Sequence, residues 1–248
     1  MPDNQNSFDH PIDLSKFLSM DQDQATQFNF LTQNSEPDRC MLINGIYNQL
    51  YPWYNRHSDA GDTLNTYRIA IRDHYGRNYR NLDRKVQLEI LRIISKYTPN
   101  SKHQFLEVKL TYKHGAPYYQ VRNNYQLGNF GILPIHGGIN PKRSLPPYFD
   151  YFDKYLVATN LFYSDNNESD DRLLTAINSR RDYFQCFDNM TNFVHMNNLD
   201  DFFSDNYVSS QNIIKLSEEP SFEAYVQAAT EIISSRGNRM WNLLHKFS

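Results

Sequence analysis

From Tyr148 to Tyr163 the chain reads YFDYFDKYLVATNLFY, which is apolar around most of a helical circumference. A helix of that kind cannot lie on a surface with one face in water, so it demands the centre of a fold and obliges the other elements to wrap it. The chain is long enough to do so, since 248 residues bury a self-sufficient core without staples. Eighteen Tyr and sixteen Phe imply a largely aromatic interior whose hydroxyls reach polar rims.

The wrapping elements read as a mixture of periods. Ser35-Glu36-Pro37-Asp38 has the form of a capping box, and Leu42, Ile43, Ile46, Tyr47, Leu50 and Tyr51 then fall at helical spacing until Pro52, which lacks the amide needed to continue. A polar loop is expected over 55–62. Tyr67, Ile69 and Ile71 alternate with Arg68, Ala70 and Arg72, the period-two pattern of a half-buried strand. Leu82, Val86, Ile90, Ile93, Ile94 and Tyr97 make one helical stripe, with Arg84, Lys85, Glu89, Arg92 and Lys96 opposite. A hairpin is expected about His114-Gly115-Ala116-Pro117, and a mostly buried third strand from Tyr125 to Pro134. After an irregular Gly- and Pro-rich loop over 136–147 come helices over 148–163, 171–187, 190–203 and 221–247. The expected architecture is α+β, with a small, mostly antiparallel sheet from the middle third packed by helices before and after it. Residues 1–11 are expected to be disordered and 12–248 to form a single domain.

Charge is sorted along this framework. Between Thr63 and Phe149 there are fourteen Lys and Arg against four acids, a net of +10 inside a chain of formal charge −3, which leaves −13 to the flanks. A basic middle of that kind suits either an external anion or the chain's own acidic flanks. Residues 1–11 carry no basic start and no apolar run, so they read as neither a signal peptide nor a membrane anchor. Cys40 and Cys186 stand outside any CxxC pattern and read as two buried thiols, so a disulfide framework and a zinc site are not indicated. A cytoplasmic protein is expected, and the abundance of Asn with scarce Ala suits an AT-rich bacterial or phage genome.

Three short motifs stand out: Leu127-Gly128-Asn129-Phe130 running on to Pro134, Asp150-Tyr151-Phe152-Asp153 opening a helix, and Ser235-Arg236-Gly237-Asn238-Arg239-Met240 near the end. Together they resemble an uncharacterised family of low-GC bacterial proteins with a buried Leu/Ile-Gly-Asn-Phe strand and an Asp-aromatic-aromatic-Asp helix. The resemblance extends loosely over most of the chain. It implies an architecture and supplies no activity, cofactor or catalytic residue. Gly237 departs from the pattern, standing where a helix former is expected, which leaves the continuity of the last helix open.

The residues themselves offer three kinds of chemistry. Clustered Lys and Arg neutralise phosphates and release counterions, and Tyr67, Tyr75, Tyr79 and Tyr97, interleaved with the charges, are of a type that stacks bases. The charged face of the 82–97 helix is accounted for as a solvated surface on which Glu89 pairs with Lys85 and Arg92. That leaves Arg68, Arg72, Arg77 and Arg80 as candidates for an anion or nucleic-acid site. Glu107-Val108-Lys109 within a predicted strand has the acid-x-Lys form of Mg2+-dependent nucleases, in which the carboxylate holds the metal and Lys109 would steady the attacking water. About one such triplet arises by chance in a chain of this length, and its partner acid, Asp73 or Asp83, lies before the long helix. His136-Gly137-Gly138 lacks the GxSxG elbow a hydrolase needs. Asp150 and Asp153 at a helix start are explained by the helix dipole, and no HxxxH or HExxH pattern is present. The leading expectation is therefore a binding protein for nucleic acid or another anionic partner, with no resident cofactor and no recognisable catalytic motif. The alternatives are a metal-dependent nuclease using Glu107, Lys109 and Mg2+ in a defence or toxin setting, and a protein–protein adaptor.

Overall fold

The computed structural model describes residues 12–30, 33, 40–54, 59–76, 82–98, 111–113, 116–118, 124–134, 151–164, 172–205 and 207–246. The 1–11 segment, the Ser35–Asp38 box and the 136–147 loop lie outside them. Among the described residues the chain forms ten α-helices and two two-stranded antiparallel sheets, an α+β fold. In chain order these are α1 (Leu14–Leu18), α2 (Gln22–Thr26), α3 (Met41–Leu50), β1 (Asp59–Thr63), α4 (Tyr67–Tyr75), α5 (Arg84–Tyr97), β2 (Thr111–Lys113), β3 (Ala116–Tyr118) and β4 (Phe130–Pro134). There follow α6 (Phe152–Tyr163), α7 (Arg172–Asn178), α8 (Arg181–Gln185), α9 (Met190–Met196) and α10 (Phe222–Lys246).

The central helix is where its apolar circumference requires. Phe152, Tyr155, Leu156, Ala158 and Phe162 of α6 are buried, with aromatic rings from α8 and the turn at Phe202 against them. Around it a large cluster gathers α4 to α9 and the first half of α10. A second, smaller cluster joins α1, α2 and α3 to Met240, Trp241 and Leu244 at the far end of α10. The wall between them is the β1–β4 pair, in register from Asp59 opposite Pro134 to Thr63 opposite Phe130. β4 serves both sides through the period of a strand: Phe130 and Ile132 enter the smaller cluster while Leu133 enters the larger. That double burial explains why β4 reads as an unbroken apolar run.

Several elements differ from the expectation, each for a physical reason. The 67–72 segment is the helix α4, not a strand. Arg68 and Arg72 are one helical turn apart as well as in strand alternation, and the adjacent burial of Ile69, Ala70 and Ile71 decides for the helix. The partner of β4 comes instead from the expected loop over 55–62. β1 reads DAGDT, and Gly61 is required there because a Cβ would overlap the Tyr47 ring. The expected helix over 171–187 is broken into α7 and α8 at Ser179-Arg180, and the next ends at Met196, where Asn198 takes a left-handed φ of 54°. α3 starts at Met41, with the Cys40 thiol accepting from the Ile43 amide. Cys40 is buried as expected, whereas Cys186 is exposed.

Candidate functional site

The two motifs at Gly128 and Arg236 meet in the interior. Gly128 sits in a single 3-10 turn, Leu127–Asn129, laid directly on α10. A Cβ at Gly128 would overlap the Ile233 carbonyl oxygen and come within 2.6 Å of the Gly237 amide nitrogen, so only glycine permits the contact. α10 runs unbroken through Gly237, whose own Cβ would lie an ordinary 3.4 Å from the Gly128 nitrogen. Beside this crossing Arg236 is fully buried, and all five of its N–H groups have acceptors. Nε donates to the Asn198 carbonyl at 2.6 Å, Nη1 to the carbonyls of Gly128 and Phe130 at 2.7 and 2.5 Å, and Nη2 to the Tyr51 hydroxyl and the Asn197 carbonyl at 3.1 and 3.2 Å. Burial lowers its pKa, with Tyr51, Tyr47 and Asp200 pushing the other way. A guanidinium starts so far above neutrality that it stays charged.

Asn129, next along, completes the junction. Its side-chain oxygen accepts from the Asn65 amide at 2.9 Å, while its NH2 donates to the carbonyls of Asn65 and Asn124 at 3.1 and 2.7 Å. These residues tie both clusters, the sheet and α10 together. With every N–H donor of Arg236 engaged by the chain, Arg236 acts as a structural latch.

One turn further along α10 the same helix builds a surface cluster that the sequence reading did not single out. Arg239 pairs with both Asp200 and Asp201, His195 Nδ1 bonds Asp200, and the Ser235 hydroxyl donates to Asp201 at 2.5 Å. The available signal was the Ser235/Arg239 spacing of four opposite the Asp200-Asp201 pair, but the partners are 34 or more residues apart and only the fold joins them. Among the described residues no three His, Cys, Asp or Glu side chains are grouped to hold a metal ion. Asp153 is not a surface dipole partner either. It is buried, with one oxygen accepting from the Ser217 amide and hydroxyl at 3.1 and 2.6 Å and the other without a partner among the described residues. Burial pushes its carboxyl above the usual range despite those two hydrogen bonds. Asp150 lies outside the described residues.

The candidate anion residues are distributed differently from the expectation. Arg68 is exposed on α4 and Arg72 half-buried one turn on, both engaged by other groups of the chain. Arg77, Arg80, Glu107 and Lys109 lie outside the described residues. The tyrosines are not open stacking platforms: Tyr67 is buried against Phe222 and Tyr225, Tyr75 packs edge-on against Phe222, and the Tyr97 hydroxyl donates to Glu223 at 3.1 Å. Tyr79 lies outside the described residues.

The helix set aside as a solvated face is the more informative one. On α5, Lys96 forms an ion pair with Glu223 of α10 at 2.7 Å, and Arg92 acts on the same carboxylate at longer range. Arg84, Lys85 and Arg92 are exposed and have no carboxylate within ion-pair distance among the described residues. The expected pairing of Glu89 with Lys85 and Arg92 does not form. Asp83 is occupied as the N-cap, accepting from the Val86 amide at 3.0 Å.

The chain thus presents an α+β fold, a buried latch built on Arg236 and one helix whose Arg84, Lys85 and Arg92 form no ion pair among the described residues. It belongs to a family of unknown function, DUF6994, whose model matches residues 24–240. The family resemblance carried by the short motifs was likewise to an uncharacterised one. No curated protein and no solved structure matches the chain.

Proposed function

We propose that this is a cytoplasmic bacterial or phage protein that acts by binding an anionic partner, nucleic acid included, on the exposed side of α5. The observation that carries the reading is the set Arg84, Lys85 and Arg92, which no ion pair occupies among the described residues: three cations within about two turns of one helix, in a chain whose net charge is −3. Cations outside any ion pair keep most of their Coulomb attraction for a partner, whereas Lys96 is paired with Glu223, a carboxylate that Arg92 also acts on at longer range. Among the described residues no helix is long and apolar enough to cross a membrane, and Cys186 is a thiol in no disulfide, both compatible with the cytoplasm.

Heparin, used as a generic polyanion, tests the reading. The protein should be retained at low salt despite its negative net charge, and the double variant Arg84→Glu/Arg92→Glu should elute without retention while keeping its circular dichroism spectrum. In a solution titration of the bound polyanion, the log-affinity against log-salt slope should fall by about two in that variant. A wild-type protein that passes through heparin at low salt, or a variant retained equally well, overturns the proposal.

A further inference from the structure

The exposed side of α5 is not purely electrostatic. Leu88 is 49% exposed and stands between the unmatched cations. At about 100° per residue, Arg84 and Arg92 lie about 40° to either side of it and Lys85 about 60° away, spread along about 12 Å of helix. Ile90, Ile93 and Ile94, the buried residues of α5, occupy the opposite side. Leu91, half-buried against the core, extends the apolar strip beside Leu88. Among the described residues Met41, Met196 and Tyr207 are the other large exposed apolar groups, and none of them is on α5.

We infer that the anionic partner of this face is an acidic polypeptide segment, an amphipathic helix that sets an apolar side chain on Leu88 and carboxylates on Arg84, Lys85 and Arg92. The inference rests on the anionic-partner reading and narrows it. A helix with leucines three and four residues apart, flanked by Glu or Asp, matches a leucine flanked by Arg84, Lys85 and Arg92 in both shape and charge. A nucleic acid matches only the charges. Its phosphates would leave Leu88 unburied, and Tyr67, Tyr75 and Tyr97 have their rings or hydroxyls committed to Phe222, Tyr225 and Glu223. A lipid surface needs a wide free apolar face, and α5 has its apolar stripe buried in the core.

The experiment uses the full chain and four probes: a fluorescent Glu-rich helical peptide with leucines at heptad spacing, the same peptide with its leucines replaced by serine, a DNA duplex, and vesicles of phosphatidylcholine with phosphatidylserine. The leucine peptide should bind in a salt-dependent way, and the serine peptide at least fivefold more weakly. Leu88→Ser should weaken the leucine peptide by about fivefold, and Arg84→Glu/Arg92→Glu by more than tenfold. Equal binding of the two peptides, or no effect of Leu88→Ser, overturns the inference. Preference for DNA or vesicles, lost in the charge-reversed variant, also overturns it while leaving the anionic-partner reading standing. Failure of all four probes to bind at low salt overturns both. Retained circular dichroism and an unchanged unfolding midpoint show that each surface variant is folded.

Discussion

Arg236 and Arg84 are the same side chain put to opposite uses. In α10 the guanidinium is sealed in the interior, and its five donors draw the carbonyls of Gly128, Phe130, Asn197 and Asn198 and the Tyr51 hydroxyl to one point. In α5 the guanidiniums of Arg84 and Arg92 are exposed and in no ion pair among the described residues. The contrast teaches that charge content along a chain does not locate a charge's role. A buried cation without a complete set of acceptors would be too unfavourable to keep, so Arg236 organises structure, while exposed cations contribute little to stability and are available to a partner.

The comparison breaks first at the latch. Arg236→Ala should destabilise the protein by about 4 kcal/mol or more, since it opens a cavity and strands several buried carbonyls at once. Urea denaturation should show a variant unfolded or nearly so, and a loss of under about 1 kcal/mol would show that the carbonyls find other partners. The glycines sharpen the picture next. Gly128→Ala forces the turn away from the Ile233 carbonyl and should cost about 2 to 3 kcal/mol, whereas Gly237→Ala meets only ordinary contact and should be neutral or up to about 1 kcal/mol stabilising through helix propensity. Equal effects at the two positions would contradict the one-sided close approach.

A smaller effect is expected at Asp153, where the titration has a definite sign. Its folded-state pKa is raised by burial, so the folded state binds the proton more tightly than the unfolded chain does. Its favourable contribution is therefore fully present below the ordinary carboxyl range and is lost as pH rises through the raised value. Asp153→Asn keeps an acceptor for Ser217 and removes the buried charge, so it should gain on the wild type in stability at neutral pH and lose that advantage in acid. A difference independent of pH would mean that the carboxyl is not titrating differently in the two states. The smallest effect belongs to Lys96→Ala. Its ion pair with Glu223 is solvent-exposed, and the unfolding midpoint should not move measurably.

Where hydrophobic periodicity was long, the elements were legible. The α5 stripe and the all-round apolar α6 were both readable because ten or more residues repeat a single period. Where the period spanned six residues or fewer, it misled. Tyr67 to Arg72 satisfies a strand and a helix equally, and the choice falls to the burial of Ala70 between Ile69 and Ile71. β1 gave no strand signal at all, because DAGDT pairs with β4 for what its backbone and Gly61 allow rather than for its side chains. The candidate site was legible in part. The basic residues could be counted, but Lys96 finding Glu223 127 residues away, and Glu89 leaving Lys85 and Arg92 unmatched, follow from which helices pack together.

The amino-acid sequence by itself determined the class of fold, the helix that must lie at its centre and the segregation of charge, because each of these is a local pattern or a sum. Tertiary structure alone decided that two of the motifs are halves of one junction, since the Gly128 contact and the acceptors of Arg236 come from segments up to 185 residues apart. It alone decided which cations are matched as well, because pairing depends on distance in space, and distance in space is set by the packing of helices rather than by their order.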